Sequence, residues 1–138
     1  MKYILYFYIL ALQVSCVGNR DKDVIEIGNR PEQENSVQKI ALKDKTLLIN
    51  ANGKLIETEG VFRYNFEDVA VYPSKRSSFP EAIWLKLPSV SYLSDSILNR
   101  LNGKKIAVIG RIDFSDKGHE NGYFASLDSI FYIKEITK

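Results

Sequence analysis

Between Lys54 and Ile136 the chain repeats one pattern five times, a short run of apolar residues closed off by turn chemistry. Alternation with a period of two puts successive side chains on opposite faces of a strand. In Lys54–Phe62, Leu55, Glu57, Glu59 and Val61 stand against Ile56, Thr58, Gly60 and Phe62. A glycine inside such a run predicts a bulge or a sharp bend, which a small barrel needs in order to close. Val69–Tyr72 is the second run, ended by Pro73, and Ala82–Leu87 the third, stopped by Pro88. Then the period changes. Leu93, Ile97, Leu98 and Leu101 share one helical face, Ser91 or Ser94 can cap the start, and Gly103 can close the end. Lys104–Ile112 is the fourth strand, with Gly110 inside it, and the fifth runs from Tyr123 or Phe124 to Ile136. Residues 40–49 fit neither period over a useful length and lead into a turn at Asn50–Gly53.

The order strand, strand, strand, helix, strand, strand predicts an all-β domain. It is the layout of a five-stranded Greek-key barrel with one short helix between strands 3 and 4, the OB-fold. A ferredoxin-like fold would need a second full helix, and an immunoglobulin-like sandwich about two more strands. Several phrases carry a resemblance: Gly60-Val61-Phe62, Phe66 to Tyr72, Ala82-Ile83-Trp84-Leu85, Leu101 to Ile106, Gly110 to Asp113, and Lys117 to Tyr123 followed by Ala125-Ser126-Leu127. In this order they resemble small exported bacterial OB-fold lipoproteins with a tRNA-anticodon-binding-like domain, over about residues 54–138. The resemblance implies the barrel and an address. It implies no catalytic residue, and it does not make tRNA the ligand.

The first sixteen residues, MKYILYFYILALQVSC, differ in kind from the rest. Lys2 precedes an unbroken run from Tyr3 to Leu12, too short for the roughly 20 apolar residues that span a bilayer. A charged start, a short apolar middle and a small-residue end are the marks of an export signal. Val14-Ser15-Cys16 resembles a bacterial lipobox, with Gln13 where leucine is usual. The expected division is a signal peptide over 1–15, lipidated Cys16 with a flexible tether over 16–38, and the OB-fold domain over 39–138. Polar Val17–Gln38 holds one apolar cluster, Val24-Ile25-Ile27, whose alternative reading is an edge strand. The protein is thereby expected in the bacterial cell envelope, held to a membrane through Cys16 and facing the periplasm or the exterior.

Composition narrows the chemistry. A net charge of +2 provides no basic field for non-specific nucleic-acid binding, and a single cysteine leaves no intramolecular disulfide. One histidine, His119, excludes a two-histidine metal motif. No cofactor is expected, and no metal: Asp113, Ser115 and Asp116 lack the spacing of a calcium loop. Adjacent Glu67 and Asp68 point opposite ways on extended chain and cannot act as a dyad, so the chain reads as a non-enzyme. The candidate binding residues are Trp84 and Lys86, outward if Ile83, Leu85 and Leu87 fill the barrel, with Tyr72 beside them and Lys75 and Arg76 in the adjoining loop. Aromatics on that face could stack on bases or sugar rings. Alternatively, Trp84 packs under the helix or the tether. Two functions follow: a module that binds a glycan, a peptide or an envelope protein, or an accessory subunit that docks on another envelope protein without a small-ligand site.

Overall fold

The computed structural model describes residues 23–32, 36–89 and 93–138. Five strands close a barrel. They are β3 (Leu55–Asn65), β4 (Asp68–Tyr72), β5 (Ile83–Leu85), β6 (Lys105–Asp113) and β7 (Ala125–Glu135). Around the barrel the order is β3-β4-β5-β7-β6 and back to β3, with β5 and β7 parallel and the other barrel neighbours antiparallel. This is an OB-like topology, as the strand–helix order predicts.

Closure depends on β3 serving two neighbours. Leu55–Val61 pairs with β6, and Val61–Asn65 pairs with β4. Gly60 lies where the strand passes from one neighbour to the other, and a Cβ there would come within 2.5 Å of the Tyr72 carbonyl and Val71 Cγ1. The expected bend is at this residue. Gly110 plays the matching part in β6, opposite a break in the β7 register that leaves Ser129 at φ +48°. Inside the barrel, Ile56, Phe62, Val71, Ile83, Leu85, Ile106, Val108, Ile112, Leu127 and Ile133 form one core.

Helices seal the two ends. α1 (Lys45–Asn50) occupies the stretch that fitted neither period; Asp44 caps it by accepting the Leu47 N–H, and Leu48 is buried. α2 (Asp95–Leu101) is capped by Ser94, which accepts the Ile97 N–H, and it buries Leu98 and Leu101. Gly103 follows at φ +79°, as the sequence expects of a helix-terminating glycine. Among the described residues no helix is long and apolar enough to cross a membrane.

The stretch expected as a tether is not spacer throughout. β1 (Glu26–Gly28) pairs antiparallel with β7, so the edge-strand alternative holds for these residues. β2 (Gln38–Lys39) lies parallel to the first half of β3. Alone, Val24-Ile25-Ile27 could not offset its ordering entropy, but Ile25 and Ile27 pack against a core already assembled. Arg30 adds a bidentate pair to buried Glu57, at 3.2 and 2.7 Å. Residues 1–22, Cys16 among them, lie outside the described residues.

Candidate functional site

The outer face of β4 and β5 is where the sequence places its binding residues, and the alternation there is as expected. Ile83 and Leu85 enter the core, while Trp84 points outward beside Ala70. On β4, Val69 and Val71 face in, and Asp68, Ala70 and Tyr72 face out. The outward residues are nonetheless covered. Tyr72 is fully buried, its ring capped by the Arg63 guanidinium at 3.7 Å and flanked by Phe79 at 6.5 Å. Phe79 stands edge-on to Tyr123 at 5.4 Å, and Tyr123 tilts against Trp84 at 5.1 Å.

One carboxylate organises the cluster. The hydroxyls of Tyr72 and Tyr123 both donate to Asp68 Oδ1, at 2.8 and 2.9 Å. Burial, with the bond to Asp68, pushes the Tyr72 hydroxyl up to about 12 and the Tyr123 hydroxyl further in the same direction. Both therefore remain neutral donors at physiological pH and are not poised as bases. Asp68 falls just beyond the β3–β4 turn, where the sequence suggests a capping or turn role. Its structural role is to hold two tyrosines from different strands and loops.

Two loops complete the cover. Arg63 donates to the carbonyls of Lys75 and Ser77, drawing the 73–78 turn over Tyr72, while the Lys75 and Arg76 side chains remain in solvent. On the other side, Gly118 lies on the indole at φ +68°, so close that a Cβ would meet Trp84 Cγ at 2.6 Å. Trp84 thus packs under the 114–122 loop, where the sequence reading offers the helix or the tether. Lys86 and Asp116 form an ion pair at 2.5 Å, which raises the lysine and lowers the carboxyl from their ordinary values. Asp116 also accepts the Gly118 N–H at 2.9 Å, so the pair holds the loop down.

The predicted set is therefore divided. Trp84, Lys86 and Tyr72 share one face, but as packing and pairing groups; Lys75 and Arg76 lie beyond its edge. Tyr72 departs most from the sequence expectation of an exposed stacking ring: it is fully buried, under the Arg63 guanidinium and against Phe79. Arg63, Phe79 and Tyr123 are the partners that sequence reasoning missed. The available signal was Asp68 and Tyr72, four apart on one strand and so on one face. Asp113 is occupied by the Ser115 N–H and hydroxyl, and His119 is an exposed turn residue. Among the described residues no group of three or more His, Cys, Asp or Glu is placed to share a metal ion.

Phe79 is the exposed ring of this cluster, at 51%, and further exposed apolar side chains lie elsewhere. Leu47 and Ile49 protrude from α1, at 43% and 54% exposure, near the 79–81 turn to which Lys45 ties that helix through the Glu81 carbonyl. Phe66 stands alone at the tip of the β3–β4 hairpin. Architecture and site together define a small closed OB-like barrel whose aromatic outer face is filled by its own side chains. Compared with protein-family models, curated proteins and solved structures, the chain matches none.

Proposed function

We propose that this chain is an exported, lipid-anchored envelope protein whose barrel is a non-enzymatic module for docking on another envelope protein. The lipid anchor is Cys16, read from the signal-like run and the Val14-Ser15-Cys16 pattern. The observation that carries the docking reading over a stacked base or sugar is the self-packed aromatic face, with Tyr72 buried and Gly118 seated on Trp84. Ring stacking needs a free π-face, and of the rings of Tyr72, Phe79, Trp84 and Tyr123 only Phe79 is exposed, at 51%. Protein docking needs exposed apolar surface, and Leu47 and Ile49 supply it at the α1 end of the barrel.

A photoreactive side chain at position 49, introduced into the full chain in its native envelope, tests this. A discrete crosslinked species is expected, lost when Leu47→Glu is added and the melting temperature is unchanged. A soluble glycan or nucleotide that raises the melting temperature and shifts Trp84 emission, with no crosslink from position 49, would restore the small-ligand reading.

A further inference from the structure

The two ends of the barrel are not equivalent. One carries α1 with the starts of β3, β5 and β7; the other carries α2, the β3–β4 hairpin, the start of β6 and the end of β7. β1 runs antiparallel to β7 with Glu26 opposite Lys134, so the chain arriving at Asp23 reaches the barrel at the α2 end. Cys16 precedes Asp23 by seven residues, a span of at most about 25 Å for extended chain. Along the chain from Cys16, the α2 end is the first part of the described domain to be reached.

That same end carries an apolar residue with no role in packing. Beyond the Val61–Lys105 pair, β3 continues to Asn65, about 13 Å at roughly 3.3 Å per residue. At the tip of the β3–β4 hairpin, which Tyr64 ties to Asp95 and Asn102, Phe66 is 99% exposed. Beside the arriving chain, exposed Val24 and half-buried Ile97 line a groove of about 620 Å³ between β1 and α2, with Arg100 at its margin. The charges around them leave a small negative excess. Lys104 pairs with Glu135, Lys134 with Glu26 and Lys105 with Glu59, while Arg100 shares this end with Asp23, Glu67 and Asp95.

We propose that the α2 end is seated on the bilayer to which Cys16 is acylated, with Phe66 inserted at the boundary between headgroups and acyl chains and Val24 and Ile97 resting on the surface. The inference rests on the lipid-anchored reading and adds an orientation to it. Apolar side chains reach about 5–10 Å into this boundary region. Because these charges provide no positive excess to attract anionic lipid, the contact is driven by apolar insertion and forms on neutral lipid. It leaves α1, with Leu47 and Ile49, pointing away from the membrane.

The test uses the full acylated chain in phosphatidylcholine vesicles. Acylated Cys16 offers no thiol, so Phe66→Cys places one environment-sensitive dye at the hairpin tip, and Ile49→Cys places it at the far end in a second preparation. Dye at position 66 is expected to brighten, shift to the blue and be quenched by headgroup-level nitroxide lipids, while dye at position 49 behaves as in water. Equal, water-like emission from both positions overturns the seating while leaving the anchor intact. A chain that carries no fatty acid, detected by metabolic labelling before any dye is attached, overturns the anchored reading itself. Phe66→Ser, with the same melting temperature as the parent, shows that the tip has no packing role that could account for the result.

Discussion

Asp68 shows how a single side chain controls a surface. Its Oδ1 accepts from two tyrosines that are 51 residues apart in the chain, and both rings are buried because their hydroxyls have somewhere to point. Replacing it leaves the Tyr72 hydroxyl without its acceptor and the Tyr123 hydroxyl with only the Glu67 carbonyl, at 3.5 Å, and each orphaned buried polar group costs about 1–3 kcal/mol. Asp68→Ala is expected to lower stability by about 2–4 kcal/mol in urea titration. Trp84 emission should shift to the red as Tyr123 and the 114–122 loop loosen. An unchanged midpoint would mean that neither tyrosine depends on this carboxylate for its place in the fold. The outward direction of Trp84 and Lys86 was legible from alternation alone. Their occlusion was not, because it depends on Gly118 and Tyr123, which reach the indole from a loop more than thirty residues further along the chain. Period-two patterning reports which face a side chain takes and nothing about what later covers that face.

At the level of elements, β1 is the informative case. Its register on β7 places Ile27 opposite Ile133, and the Glu135 N–H donates to the Ile25 carbonyl at 2.8 Å. Ile25 and Ile27 pack on the core, whereas Val24 stays largely in solvent. Ile27→Ala is therefore expected to cost about 1.5 kcal/mol, below the range for fully buried isoleucine, and Val24→Ala almost nothing. Equal midpoints for the two variants in urea would show that this segment behaves as spacer after all. The barrel strands and α2 were readable because each carries several apolar residues in one period, reinforced by Gly60, Gly103, Pro73 and Pro88 as punctuation. β1 and β2 carry two or three paired residues each, too few for a period. Their pairing is decided by the free edges of β7 and β3, a property of the finished sheet. α1 was ambiguous for a related reason: only Leu48 of its six residues is buried, so no apolar stripe marks it.

For the molecule as a whole, closure makes each titration a matter of global stability, since a small single barrel is expected to unfold as one unit. Two sets of groups set the limits of its pH range. Glu26 is held low by the Tyr132 hydroxyl, Glu59 by Lys39, Glu135 by Lys104, Asp113 by Ser115 and Asp116 by Lys86. A lowered carboxyl stabilises the fold above its unfolded value near 4, and that contribution is lost as pH falls through the folded value. On the alkaline side, Tyr72 is pushed up to about 12, and Tyr123, Tyr132 and Tyr64 are also raised. A raised tyrosine contributes fully below its unfolded value near 10 and ceases to do so as pH climbs through the folded one. Raised Lys39 and Lys86 act in the same direction. Lys45, lowered by burial, opposes them alone. Urea midpoints are thus expected to be level from about pH 5 to about pH 9.5 and to fall on either side. The alkaline limb should flatten in the Tyr72→Phe, Tyr123→Phe double variant, measured against its own neutral midpoint because two hydrogen bonds to Asp68 are gone. The same fall in both proteins would locate the alkaline sensitivity in the lysine pairs together with Tyr132 and Tyr64, and would remove Tyr72 and Tyr123 from the account of what keeps the outer face packed.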